Sequence, residues 1–263
     1  MLTDHYPNTR FPLIGPVFVA AFAAAAATLV AWFATHVPFV HAPEPLARLV
    51  ILVCWLGALV VVLRIARPAP RPAMVLGIAA GLLSAAIGAL LLAGTRASGN
   101  FTLVAVAFLA VGIVLGAAAG AQSAATYSPV PSLSNRPQPW AARFALVTAL
   151  TVAPLLFIGG LVTSADAGMA VPDWPTTFGA NMLEFPLDAK TPQDIFLEHS
   201  HRLFGMLVGL ATFALLVWVL LARRGGWPRM VAIAAFLLVC VQGVIGGIRV
   251  RSDSRPLAMF HGV

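Results

Sequence analysis

Seven long apolar stretches constrain this chain more than any other feature of its sequence. Each has about 20 residues, the length that an α-helix needs to cross a hydrocarbon core of about 30 Å. Helix is the expected structure, because unpaired backbone cannot face lipid and the ten-residue alternation of a membrane barrel is missing. The predicted spans are residues 12–33, 46–64, 73–94, 101–120, 142–163, 200–222 and 229–248, and an eighth begins near Leu257, shortly before Val263. We therefore predict an all-α membrane protein: a polytopic helical bundle with seven complete transmembrane helices and a truncated eighth.

The composition excludes the main alternatives to a membrane protein. Of the 263 residues, 60% are hydrophobic and 10% are charged, whereas an average soluble domain has about 25% charged residues. Cys54 and Cys240 both lie inside apolar runs, which excludes a disulfide scaffold. The formal net charge is +7, but the arginines lie at the ends of spans and do not form one basic face, so we expect no nucleic-acid partner.

The arginines also predict an orientation, because positive residues concentrate on the cytoplasmic side of a membrane protein. With the N-terminus in the cytoplasm, nine of the 16 basic residues lie inside: Arg10, Arg64, Arg67, Arg71, Arg136, Arg143, Arg223, Arg224 and Arg229. Asp4 is then the one inside acid, and the others lie outside or at the outer edge: Glu44, Asp166, Asp173, Glu184, Asp188, Asp194, Glu198 and Asp253. The outer residues Arg249, Arg251 and Arg255 break this pattern.

The chain divides into three regions. Residues 1–120 form a four-helix membrane region of unknown role, with small residues spaced for close helix packing and few ionisable groups inside the spans. Residues 121–141 are rich in Ser and Pro, which predicts a cytoplasmic linker. Residues 142–263 contain the chemically informative motifs.

The first of these motifs is a Pro-rich turn in the outer loop at residues 164–199. Pro172 and Pro175 bracket Asp173 and Trp174, and two prolines so close together predict a rigid turn. An aromatic anchor at the membrane interface would explain the same residues. Both interpretations stay open, and in either case Asp173 and Trp174 belong to a loop beside the site described next.

The second motif places ionisable residues at the start of the sixth span. One stripe along this helix carries Glu198, His201 and Arg202, followed by Gly205 and Gly209. Such groups are costly in hydrocarbon and indicate a functional site.

A second histidine, His261, falls at the same outer depth in the eighth span. Two histidines on different helices suggest axial ligation of a heme iron. Zinc is the competing metal, although no third ligand converges convincingly. His199 lies off the stripe and is not expected to be a ligand. Because heme carries two anionic propionates, Arg202, Arg249 and Arg251 are candidates to bind them.

Four segments together resemble the heme A synthase family: GGLVTSADAGMAVPDWPTTFGANM at 159–182, EHSHRLFG at 198–205, QGVIGGIRV at 242–250 and HG at 261–262. The resemblance covers about residues 145–263. It implies an eight-helix enzyme of two similar four-helix halves that oxidises a methyl substituent of heme O to the formyl group of heme A for terminal oxidases. It also implies a substrate heme in the first half and a heme b cofactor in the second.

Carried onto this sequence, the resemblance implies a role in catalysis for Glu198 and heme ligation by His201 and His261. The carboxylate would handle protons or stabilise charge at the porphyrin edge. The resemblance implies heme O and membrane lipid as partners. Further candidates are a heme O synthase, terminal-oxidase assembly partners and other copies of the chain. The implied location is the inner cell membrane, with the heme site near the outer face.

The chain departs from the family pattern in three ways. It ends where the fourth helix of the family's first half begins, so we expect the sequence to be incomplete. Four additional spans precede the similar region. Some family members carry a cysteine pair in outer loops, whereas Cys54 and Cys240 lie within spans. A heme-binding membrane protein for electron transfer or heme handling, without methyl oxidation, is the alternative. A transporter is disfavoured because the ionisable cluster lies at one surface.

Overall fold

The computed structural model describes residues 14–66, 70–92, 94, 101–127, 139–187, 190–222, 226–252 and 254–262. Within these ranges the chain forms eight α-helices, which are α1 (Ile14–His36), α2 (Glu44–Ala66), α3 (Pro70–Leu92), α4 (Phe101–Ala125), α5 (Trp140–Ser164), α6 (Gln193–Leu221), α7 (Trp227–Ser252) and α8 (Arg255–Gly262). A small antiparallel hairpin, β1 (Thr176–Thr177) and β2 (Ala180–Asn181), and a 3-10 turn at Met182–Glu184 lie between α5 and α6.

Helices α1 to α7 are each long and apolar enough to cross a membrane. Their lipid-accessible faces carry large apolar side chains, most extensively on α7, where Leu237, Leu238 and Val241 are exposed. Helix α8 follows at the position of the predicted eighth span. The predicted fold class, an all-α polytopic membrane bundle, is confirmed.

The largest difference from the predicted spans is at the start of α6. This helix begins at Gln193, whereas the apolar pattern predicts a start near residue 200. Its first two turns mix polar and apolar residues, and the polar residues Glu198, His199 and Ser200 are buried. Hydropathy misses these turns because the loop before α6, and not lipid, surrounds them.

Close helix packing in the first region is strongest between α3 and α4. A Cβ atom added at Gly81 would collide with the backbone oxygen of Gly112, and one at Gly77 with that of Gly116. Glycine is therefore needed on both helices for their backbones to approach, as in other membrane helix pairs.

Helix α1 joins the first region to the helices that follow residue 139. Near one end, Phe18 contacts Phe144 of α5 and Trp218 of α6, with ring centroids 5.8 and 5.7 Å apart. Near the other end, Phe33 contacts both Phe196 and Phe204 of α6. Each aromatic pair adds about 0.5–1.5 kcal/mol beyond the area it buries. Helix α6 is thus packed against α1 near both of its ends.

Part of the sequence prediction falls on residues that the structure does not describe. These are residues 128–138 of the predicted linker and the charged residues Asp4, Arg10, Arg67, Arg136, Asp188, Arg223, Arg224 and Asp253. The remainder of the 121–141 segment belongs to the end of α4 and the start of α5.

The α3–α4 contact gives a test with a matched control. We expect Gly81→Ala to lower the free energy of unfolding by about 1–3 kcal/mol, because the added methyl group forces the two backbones apart. Gly57 of α2 has no heavy atom within 4 Å of an added Cβ, so Gly57→Ala should leave stability nearly unchanged. Unfolding in mixed detergent micelles measures both variants, and equal stability would contradict this account of the packing.

Candidate functional site

The loop at residues 165–192, between α5 and α6, folds around the carboxylate of Asp173. Its Oδ1 accepts from the backbone N–H of Phe178 and its Oδ2 from that of Gly179, both at 2.8 Å. Phe178 and Gly179 have φ angles of 51° and 78°, and a left-handed conformation is costly for phenylalanine. The carboxylate therefore stabilises a turn that the sequence alone would not favour.

The electrostatics of Asp173 follow from these contacts. Partial burial acts to raise its pKa, but hydrogen bonds from the Thr176 side chain and from the backbone of Gly179 and Phe178 outweigh that effect. The pKa of Asp173 is consequently lowered from its ordinary value of 3.8. The loop is held by an ionised carboxylate.

A buried ion pair on α6 fixes the same loop. Arg202 Nη2 donates to Glu198 Oε1 at 2.7 Å, and the two side chains are only 8% and 5% exposed. The other carboxylate oxygen, Oε2, accepts from the Val171 N–H at 2.7 Å. Arg202 also donates to the carbonyls of Val171, Asp173 and Thr176 at 2.9–3.0 Å. The pair thus binds both backbone groups of Val171 and anchors the Pro-rich turn to α6.

His199 is buried on the side of α6 that faces the hairpin and the 3-10 turn. Its Nδ1 lies 3.3 Å from Thr177 Oγ1, and its ring packs on Phe185 with a centroid separation of 5.3 Å. These contacts place His199 in the support of the loop and away from the other two histidines.

Helix α7 holds the loop from the opposite side. Arg249 Nη2 donates to the Gly168 carbonyl at 3.2 Å. The indole of Trp174 lies against Gly247, where an added Cβ would collide with the ring. The loop therefore bridges α6 and α7 and covers the space between them.

His201 of α6 and His261 of α8 are brought together beside this loop. Their ring centroids are 6.0 Å apart, and the ring planes are nearly perpendicular at 88°. The Nδ1 atoms of both rings are buried without a hydrogen-bond partner. Buried polar atoms are normally paired, and an exception needs an explanation. The Nε2 atom of His199 is also buried without a partner, but the rings of His201 and His261 face each other. A metal ion or another ligand bound between these two rings would satisfy both.

These residues fit a heme better than a closed zinc site. Imidazole nitrogens bind metals at about 2 Å, so two rings on opposite sides of one ion have centroids roughly 6 Å apart. Among the described residues, no three His, Cys, Asp or Glu side chains form a group that could hold a metal ion.

The predicted site residues occupy two connected places. His201 and His261 face each other, whereas Glu198, Arg202, Asp173 and Trp174 build or anchor the covering loop. Arg249 contacts that loop, and Arg251 is exposed on α7. The interpretation of Asp173 and Trp174 as part of a rigid turn is the one the contacts favour. The side chain of Arg255 lies outside the described residues.

Three glycines of α5 and α7 contact the site, and all three lie within the segments that carry the family resemblance. Gly159 lies against His201, Gly246 against His261 and Gly247 against Trp174. The signal was present as two glycine doublets, at 159–160 and 246–247. Only the positions of the facing side chains show which glycine of each doublet is the closer one.

The fold and the site together define a multi-pass membrane protein with a histidine pair beneath an anchored loop. Residues 142–260 match the family described as cytochrome oxidase assembly protein. Heme A synthase from Exiguobacterium sibiricum is 30% identical over 118 residues, which cover 44% of this chain and 38% of the relative. Heme A synthase from Shewanella oneidensis is 28% identical over 134 residues, covering 46% and 39%. Human heme A synthase COX15 is 30% identical over 153 residues, covering 46% and 35%.

The resemblance to heme A synthases is confirmed as a similarity that extends over residues 142–260. The chain spans about two fifths of the length of the first two relatives. No solved structure matches it.

The buried ion pair gives the second prediction. Arg202→Gln leaves the Glu198 carboxylate buried without its cation, which costs about 3–5 kcal/mol. We expect the free energy of opening the loop to fall by that amount, measured by hydrogen exchange at residues 171–179. The control is Arg48→Gln, which removes an i,i+4 pair with Glu44 whose side chains are 61% and 59% exposed and should cost about 0–1 kcal/mol. Unchanged exchange in Arg202→Gln would disprove the anchoring role.

The Asp173 turn gives a pH-dependent prediction. Because the folded pKa is lowered, the contribution of Asp173 is fully present above pH 3.8 and is lost as the pH falls through the folded value. We expect amide exchange at Phe178 and Gly179, corrected for its intrinsic pH dependence, to accelerate in that acid range. Asp173→Asn should show faster exchange already at neutral pH and little further change on acidification. Asp194→Asn, at an exposed carboxylate on α6, is the control and should behave as the unmodified chain.

Proposed function

We propose that the α5–α8 region binds heme O between His201 and His261 and oxidises one of its methyl substituents to the formyl group of heme A. The step removes four electrons and four protons and adds one oxygen atom from water, so it requires a separate electron acceptor. The observation that carries this proposal is the pair of buried, unpartnered imidazole nitrogens with ring centroids 6.0 Å apart. The match of residues 142–260 to a cytochrome oxidase assembly family supports the same assignment. Heme O is the substrate in this proposal.

The two histidines would bind the iron and so fix the porphyrin relative to α6 and α8. Iron porphyrins supply redox chemistry that amino-acid side chains lack. Orientation is the contribution of the protein, because a reacting group held in one position relative to its partners avoids an entropic cost during the reaction. Arg249 and Arg251 are the arginines best placed for the propionates, since Arg202 already donates four hydrogen bonds to Glu198 and the loop.

The loop at 165–192 would cover the reacting edge and exclude water from it. Its contacts with α6 through Arg202 and with α7 through Arg249 and Trp174 hold it across the space between these helices. Glu198 is one helical turn from His201, but both of its oxygens already accept hydrogen bonds. This geometry favours a positioning role, in which the carboxylate acts on the site through Arg202 and Val171.

The proposal includes a location and partners. We place the protein in the inner cell membrane with its N-terminus in the cytoplasm and the histidine pair near the outer face, because the inner ends of the spans carry most of the arginines. Heme O synthase would supply the substrate, and an assembling terminal oxidase would receive the product. A homo-oligomer and a second, heme b-containing half are part of the same family-based proposal.

Expression of the full chain in a host that makes heme O but not heme A tests the function. We expect the purified protein to contain heme, and mass spectrometry of the extracted pigment to detect heme A. His261→Ala should lose at least one imidazole signal in the optical and electron paramagnetic spectra and should form no heme A. Bound heme O without any heme A would instead support the alternative function of heme handling or electron transfer.

Glu198→Gln in the same experiment separates positioning from proton transfer. The amide oxygen still accepts a hydrogen bond, but the charge that pairs with Arg202 is removed. We expect bound heme to persist and heme A formation to fall in parallel with faster exchange of residues 171–179. Loss of heme A formation with unchanged hydrogen exchange of residues 171–179 would instead indicate that Glu198 transfers protons in the reaction.

A further inference from the structure

Each of the two facing histidines lies directly against a glycine of the helix that precedes its own. A Cβ added at Gly159 of α5 would come within 3.1 Å of His201 Cε1, and one at Gly246 of α7 within 2.7 Å of His261 Cε1. We call these two contacts the glycine seats. Real Cβ atoms rarely or never approach other atoms so closely, so each ring occupies space that only glycine leaves free.

The two seats are built in the same way. The three heavy atoms nearest to a Cβ added at Gly159 are Cε1, Nδ1 and Nε2 of His201, and those nearest to a Cβ added at Gly246 are the same three atoms of His261. Helix pairs α5–α6 and α7–α8 therefore present their histidines by one repeated arrangement, in which the same edge of the ring lies on a glycine of the preceding helix.

Helix packing alone does not explain this correspondence. The neighbouring Gly160 has no heavy atom within 4 Å of an added Cβ, so the doublet contains one glycine in contact with the histidine and one in open space. In the other doublet Gly247 contacts Trp174 of the loop. Within the doublet at 159–160, the close approach is thus confined to the glycine that faces the imidazole ring.

We propose that Gly159 and Gly246 are positioning residues that set where the His201 and His261 rings present their nitrogens to the heme iron. This inference rests on the proposed heme binding and extends it to residues that do not touch the iron. Ligand geometry at a metal site must be held within about 0.5 Å and 10–20°. An alanine at either seat pushes the ring by several tenths of an ångström in a direction set by the helix.

The test compares Gly159→Ala and Gly246→Ala with the control Gly160→Ala, in the full chain reconstituted with heme b, which has the same iron and propionates. Positioning changes at metal ligands typically weaken binding by about 10–100-fold. We expect a loss of heme affinity in that range for each seat variant, together with a changed low-spin signal in the electron paramagnetic spectrum. Gly160→Ala should match the unmodified chain in both measurements.

A second pair of variants excludes a general folding defect. In the His201→Ala background, the ring that Gly159 contacts is absent, so adding Gly159→Ala should cause no further loss of heme affinity. A further loss of the same size in that background would show that alanine disturbs the helix itself and would overturn the proposal. Seat variants indistinguishable from Gly160→Ala would also overturn it.

The outcome separates this inference from the proposed function. If the unmodified chain binds no heme, the heme-binding proposal fails and the seats have no ligand to position. If the unmodified chain binds heme and the seat variants bind it equally well with the same spectrum, heme binding stands and the seats are rejected. Production of heme A is not needed for either result.

Discussion

The ion pair between Glu198 and Arg202 is the interaction on which the rest of the site depends. Two charges buried at the end of a membrane helix are unfavourable unless further hydrogen bonds satisfy them. Here the Val171 N–H completes the carboxylate, and three loop carbonyls complete the guanidinium. The dependence is mutual, because the loop lacks these partners without the pair, and the pair would be a buried, unsatisfied charge cluster without the loop. A polar helix start and an irregular loop therefore stabilise each other in a position where neither would be stable alone.

Helix α6 uses each of its sides for a different contact. Glu198 and Arg202 face the loop, His199 faces the hairpin, and His201 faces Gly159 and His261. Phe196 and Phe204, on the remaining side, pack on α1. The helix that carries the first histidine is consequently surrounded by protein near the loop, and its rotation about its own axis is fixed from several directions.

Hydropathy and charge spacing predicted the membrane spans and brought Glu198, His201, Arg202 and His261 into one candidate site. The start of α6 was predicted too late because hydropathy assumes that a polar helical turn faces water, whereas here it faces a loop that supplies hydrogen bonds. The role of Arg202 also could not be predicted, since its four acceptors include three backbone carbonyls, which have no sequence signature. In general, patterns of side chains identify which residues are unusual, and the contacts between side chain and backbone decide what each one does.

The additional helices before residue 120 acquire a physical role from the same contacts. A histidine that binds a metal is useful only if the element that carries it is rigid. In lipid, a helix face has no hydrophobic driving force toward its neighbour, so packing must supply the rigidity. Beside the loop, Phe33 of α1 contacts Phe196 and Phe204 of α6. At the far end, Phe18 of α1 contacts Trp218 of α6. Because α1 is in turn packed on α2 and α3, the first region lies behind the histidine-bearing helix. The contacts that hold α6 are thereby distributed along the length of α1.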